Sequence, residues 1–138
     1  MSYYSYGTYD EVNMSDLIGK TLSKVVKNSD EINFYTECGL HYKMFHSQDC
    51  CERVYIDAID GELWRLVGDV IRDASESTDS GPSSDYGDSV TYSYYRIRTA
   101  QEFVHITWRG SSNGYYSERV SLYRMKTPKD EEDDNGDA

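Results

Sequence analysis

At 138 residues with a formal charge of −11, the chain is sized for one domain with its own core. Six of the negative charges (Asp130, Glu131, Glu132, Asp133, Asp134 and Asp137) fall in a tail that Pro128 opens, and residues 127–138 are expected to be disordered. The rest is only mildly acidic. Gripping duplex nucleic acid needs a net basic face that displaces counterions, so that class is excluded, while a small anion held by a few placed cations is not.

Fourteen tyrosines are the compositional outlier. Tyrosine offers a flat ring and a hydroxyl at low conformational cost, which suits interfaces and base stacking. No apolar run reaches membrane-spanning length, and Met1-Ser2-Tyr3-Tyr4 has neither a basic nor an apolar leader region. These features predict a cytosolic protein with Cys38, Cys50 and Cys51 reduced and no membrane partner.

In chain order, residues 1–15 begin with a Tyr/Ser-rich segment whose first thirteen residues lack any period that buries one face. They read as a floppy terminus or as an arm that packs on a neighbouring subunit. A single β-rich domain is expected over 16–126. Asp16–Lys20 is a capped turn. Strands are predicted over 21–27, 31–37 and 40–45, where apolar residues alternate with polar ones, and Asn28-Ser29-Asp30 and Cys38-Gly39 are turn chemistry between them. A meander is the simplest connection.

His46–Glu52 interrupts the pattern. Residues 53–59 alternate Val54, Ile56 and Ala58 as a strand, residues 62–67 space Leu63, Leu66 and Val67 as a helical turn or two, and 70–74 starts another strand. Ser75–Asp88 is rich in Ser, Asp and Gly and reads as an exposed loop. Residues 89–98 have the cleanest period of two, with Val90, Tyr92, Tyr94, Arg96 and Arg98 on one face and Thr91, Ser93, Tyr95 and Ile97 on the other. Strands 103–108 and 119–125 flank Asn113-Gly114, a strong hairpin signal. With so little helix, the expectation is an antiparallel β-sandwich or open barrel with one short helix.

The stretch Trp108–Glu118 is rich for a connector, holding Arg109, two tyrosines, Glu118 and four small hydroxyl or amide side chains. Arg109, Arg96, Arg98, Arg53 and His46 suit phosphate contacts, because a guanidinium fork meets phosphate oxygens bidentately. Ser111, Ser112, Asn113 and Ser117 add polar partners, Gly114 leaves backbone N–H groups free for an anion, and Trp108, Tyr115 and Tyr116 can stack on a base. Tyr94 alternates with Arg96 on the same strand. The competing reading puts Trp108 and one tyrosine in the core and pairs the arginines with surface carboxylates.

His46, Asp49, Cys50, Cys51 and Glu52 carry metal-ligand chemistry, but adjacent cysteines do not match zinc spacing. No elbow or phosphate loop accompanies a nucleophile. Neither a metal, a cofactor nor catalysis is therefore expected.

The runs His46–Glu52 with Val54 and Ile56, then Asp57, Ile59, Gly61 and Leu63, and Ser112–Glu118 with Val120, resemble the signature of a family of small, phage-enriched proteins catalogued as a domain of unknown function. The likeness spans about residues 16–123. It departs at Arg53, Ala58 and Arg109.

Members of that family look similar to the sponge proteins with which phages sequester cyclic nucleotide signals of CBASS defence. The resemblance implies binding of a cyclic dinucleotide such as cGAMP in the host cytoplasm, without cleavage. The ligand would be buried in a homo-oligomer, a dimer or tetramer, with Gln48 and the residues above as its contacts. A sponge for a cyclic ADP-ribose signal, or an adaptor that binds a host protein, are the alternatives.

Overall fold

A computed structural model describes residues 9–81, 88–114 and 116–126. It places nine strands in two antiparallel sheets, and helix among the described residues is limited to two 3-10 turns, Met14–Leu17 and Leu63–Leu66. The first sheet has the order β1-β9-β4-β3-β2, formed by β1 (Tyr9–Val12), β2 (Leu22–Asn28), β3 (Glu31–Thr36), β4 (His41–Phe45) and β9 (Ser121–Met125). The second has the order β5-β8-β7-β6, formed by β5 (Arg53–Asp60), β6 (Asp73–Ser80), β7 (Ser89–Arg98) and β8 (Phe103–Ser112). Both sheets are open at their edges, so the architecture is the two-layer form of the expected β fold and not a closed barrel.

The period of two decides which side of each strand is wet. Ile32, Phe34, Tyr42, Met44 and Leu122 face inward from the first sheet, and Tyr95, Ile97, Val104, Ile106 and Trp108 from the second; each is at most 2% exposed. The sheets also touch through polar atoms. The Trp108 indole N–H donates to Met44 Sδ at 3.3 Å, and the Tyr95 hydroxyl donates to the Val120 carbonyl at 2.7 Å. Burial pushes the Tyr95 phenol upwards, with the Glu76 charge adding to it, so the hydroxyl stays a donor.

Three expectations change. Asn113-Gly114 does not make a hairpin, because β8 and β9 belong to different sheets. The connection is long enough to carry the chain across the core, and both flanking strands turn their apolar residues towards it. Ser75–Ser80 is not loop but most of β6, paired with β7 from Ser75↔Arg96 to Ser80↔Thr91. An edge strand needs a backbone partner on one side only and can be polar on both faces, so its composition resembles that of a loop. In the N-terminal segment, Tyr9–Val12 pairs with β9, and Met14 is 1% exposed in the core. Residues 1–8, 82–87, Tyr115 and the acidic tail 127–138 lie outside the described residues.

The meander β2-β3-β4 pairs as the turn chemistry predicted. Among the described residues, no helix is long and apolar enough to cross a membrane.

Candidate functional site

Two polar turns sit side by side at one end of the sandwich, each closed by a buried glutamate. In the first, His46–Glu52, the Glu52 side chain is fully buried. Its Oε2 accepts the Asp49 backbone N–H at 2.7 Å and the His46 Nε2–H at 2.7 Å, and its Oε1 accepts the Cys50 N–H at 3.0 Å. Burial alone would raise this carboxyl, but the Asp49 and Cys50 amides and His46 outweigh it and hold the pKa at about 2. Gln48 closes the turn from its other side, donating to the carbonyls of Glu52 at 2.8 Å and Cys50 at 3.2 Å.

His46 Nδ1 donates to the Arg119 carbonyl at 2.7 Å, which ties this turn to the second one. The carbonyl can only accept, so Nδ1 is the donor in that bond. Cys50 and Cys51 are joined to each other as a disulfide, in place of the expected reduced pair, and Cys38 is free. Among the described residues, no three side chains gather as a metal-binding group.

The second turn, Ser112–Glu118, is built in the same way. Gly114 N–H donates to Ser112 Oγ at 3.0 Å, and the hydroxyl proton of Ser112 goes to Glu118 Oε2 at 2.5 Å, closer than its other acceptor, the Tyr116 carbonyl at 3.2 Å. Gly114 has φ +96°, which glycine adopts without strain. Gly110 is needed for a different reason. A Cβ there would stand 2.8 Å from Glu118 Cβ and 3.0 Å from the Glu118 carbonyl, so only glycine lets the returning chain lie against β8.

Folded back in this way, Gly114 and Tyr116–Arg119 form one wall of a cleft of about 440 Å³. The other wall is Thr78 on β6 with Ser89, Thr91 and Ser93 on β7. The Arg119 guanidinium is mostly exposed and hydrogen-bonds to Glu11 of β1.

Five of the remaining expected contacts gather elsewhere, on the outer face of the second sheet. Register places Tyr55, Arg109 and Tyr92 in one row, with Arg53 and Ser111 above them and Tyr94, Arg96 and His105 below. The Tyr92 and Tyr94 rings stack with centroids 6.3 Å apart, Tyr94 lies 5.7 Å from His105, and Arg53 stands 4.9 Å over the Tyr55 ring. The Tyr92 phenol, and then that of Tyr55, raises the Arg109 pKa against the opposing effect of burial. Arg96 donates to Ser77 Oγ at 2.8 Å. Among the described residues, His105 Nε2 is buried and has no partner.

The expected site is thus divided in three. Gly114, Tyr116 and Ser117 line the cleft, Asn113 is exposed beside it, and Ser112 is the buried support beneath. Arg53, Tyr94, Arg96, Arg109 and Ser111 lie on the outer face. Trp108 is core at 1% exposure, and His46 and Gln48 are spent on the first turn. Thr91 and Ser93 were visible as the second face of β7, but Thr78 was hidden by the loop-like composition of β6. Glu118 and Arg119 carried no signal beyond lying in or next to the second turn.

The chain is therefore an open two-sheet antiparallel β protein with a hydroxyl-lined cleft at one end. A family model described as a domain of unknown function (DUF7448) matches residues 15–122, and the chain belongs to that family. No curated protein matches it, and neither does any solved structure.

Proposed function

We propose that the protein captures a small cyclic nucleotide signal in the cleft walled by Gly114 and Tyr116–Arg119 and holds it without turnover, as a phage protein acting in the host cytoplasm. The observation that carries this reading is the cleft itself. Its volume of about 440 Å³ lies within the roughly 300–1,000 Å³ common for small-molecule sites. Thr78, Ser89, Thr91 and Ser93 line it together with Tyr116 and Arg119. Hydroxyls for a sugar, a ring for a base and one cation for a phosphate are the contacts that a nucleotide needs. A cyclic dinucleotide has two such halves, and two subunits of a symmetric homo-oligomer would take one each.

The test is to incubate the purified protein with cyclic dinucleotides, cyclic trinucleotides and a cyclised ADP-ribose, pass it through a size filter, heat the retained protein and chromatograph what is released. An intact nucleotide released only on heating is the expected result and names the ligand. A cleaved product, or free passage of every compound, overturns it.

A second reading rests on the outer face of the second sheet. Tyr and Arg are over-represented among residues that dominate protein–protein binding, and Tyr55, Tyr92, Tyr94, Arg53, Arg96 and Arg109 are concentrated there. An adaptor that docks a host protein on this face gives a stable complex in a pull-down, which Arg109→Ala removes without affecting nucleotide retention.

A further inference from the structure

The two glutamates that close the turns differ in one atom. Both oxygens of Glu52 are occupied by donors, whereas among the described residues Glu118 has only Ser112, on Oε2, and its buried Oε1 accepts no hydrogen bond. The residue as a whole is 8% exposed, and it lines the cleft. A carboxylate oxygen shut away from water without a donor is costly, more so than a neutral group. Its chain neighbours Ser117 and Arg119 line the same cleft.

Resting on the reading that this cleft holds a nucleotide, we propose that Glu118 is the residue that reads the ligand. Its Oε1 accepts a single N–H or O–H from the uncharged base or sugar end. The geometry then also fixes orientation. A phosphate brought against Glu118 would meet like charge, so the donor-bearing end goes inward and the phosphates stay outward, on the side of the exposed Arg119 guanidinium. A ligand without a donor at its inner end leaves the Oε1 atom unpaired and is rejected, which makes Glu118 the specificity-determining group of the cleft.

The substitution that isolates this atom is Glu118→Gln. The amide keeps an oxygen for Ser112 and turns its NH2 towards the position of Oε1, replacing an acceptor by a donor at unchanged size. Glu118→Asp is made in parallel; it keeps the carboxylate but withdraws it from the ligand. Wild type and both variants are titrated by calorimetry with cGAMP and with free guanosine, which has N–H and O–H donors but no phosphate, and each protein is melted to establish folding.

The expected result is a loss of about 10- to 100-fold for both probes in Glu118→Gln, as for a hydrogen bond to a charged group, with an intermediate loss in Glu118→Asp. If wild type binds cGAMP and both variants bind it equally well, the assignment of Glu118 is overturned while nucleotide capture stands. If wild type binds guanosine in a Glu118-dependent way but not cGAMP, capture of cyclic dinucleotides falls and the assignment stands. If wild type binds neither, both fall. Should Glu118→Gln fail to fold, Glu118→Asp decides, and affinity equal to wild type overturns the proposal.

Discussion

His46–Glu52 and Ser112–Glu118 are two versions of one construction, a polar turn whose last residue folds a glutamate back under its own backbone. The first is complete. Two backbone amides and His46 satisfy Glu52, and Gln48 ties the carbonyls. The second stops one bond short, at Glu118 Oε1. A fully bonded polar network rigidifies a fold, and a partly bonded one is a place where something else is expected to bind. The lesson is that a distinctive motif does not by itself mark a ligand site. Here the difference lies in which polar atoms the turn leaves over.

Four measurements bear on this contrast, and they are best taken in order of size. Trp108→Ala removes the largest fully buried side chain, which packs between the sheets that both turns join; it should cost about 3–5 kcal/mol in denaturant melts and loosen both turns together. If only one turn loosens, the two are not seated on a common core.

Glu52→Ala comes next. It strands the Asp49 and Cys50 amides and His46 at once, and a fall in Tm of roughly 10 °C is expected. Glu118→Gln should lower Tm far less. Equal losses would erase the distinction between a structural and a ligand-reading glutamate.

The third measurement is pH. The folded-state pKa of Glu52 lies at about 2 against an ordinary value of 4.5. A depressed carboxyl contributes stability that is full above its unfolded pKa and is lost as pH falls through its folded one. Tm should therefore decline between about pH 4.5 and 2 in the wild type, and this share of the decline should vanish in Glu52→Gln. An unchanged slope in the variant would mean that the network around Glu52 does not form.

Arg109→Ala should have the smallest effect on stability, within roughly 0.5 kcal/mol, since it sits on a half-exposed face between two phenols. Retained nucleotide binding in this variant would separate the outer face from the cleft, and lost binding would unite them.

Much of the fold was legible because its signals are local. Alternation at Ile32 and Phe34, at Tyr42 and Met44, and at Val104, Ile106 and Trp108 fixes both strand and inward face, since side chains on a strand alternate by geometry alone. The turn chemistry between β2, β3 and β4 specified their pairing for the same reason. Ser75–Ser80 was not legible, because an edge strand is held by the backbone of its neighbour and not by its own side chains.

Of the candidate site, the sequence singled out a segment but not the side of the sheet on which each residue stands. Trp108, Arg109 and Gly114 are close in the chain, yet one is core, one lies on an outer face and one turns a corner. By itself the sequence determined a β-rich chain, its strand faces and two polar turns rich in chemistry. Only the tertiary structure decided that Asn113-Gly114 crosses between sheets, that His46 bonds to the Arg119 carbonyl 73 positions away, and that Glu118 is left with an unpaired oxygen beside a cleft. Those outcomes depend on which backbone groups arrive from distant strands, and no local pattern encodes such arrivals.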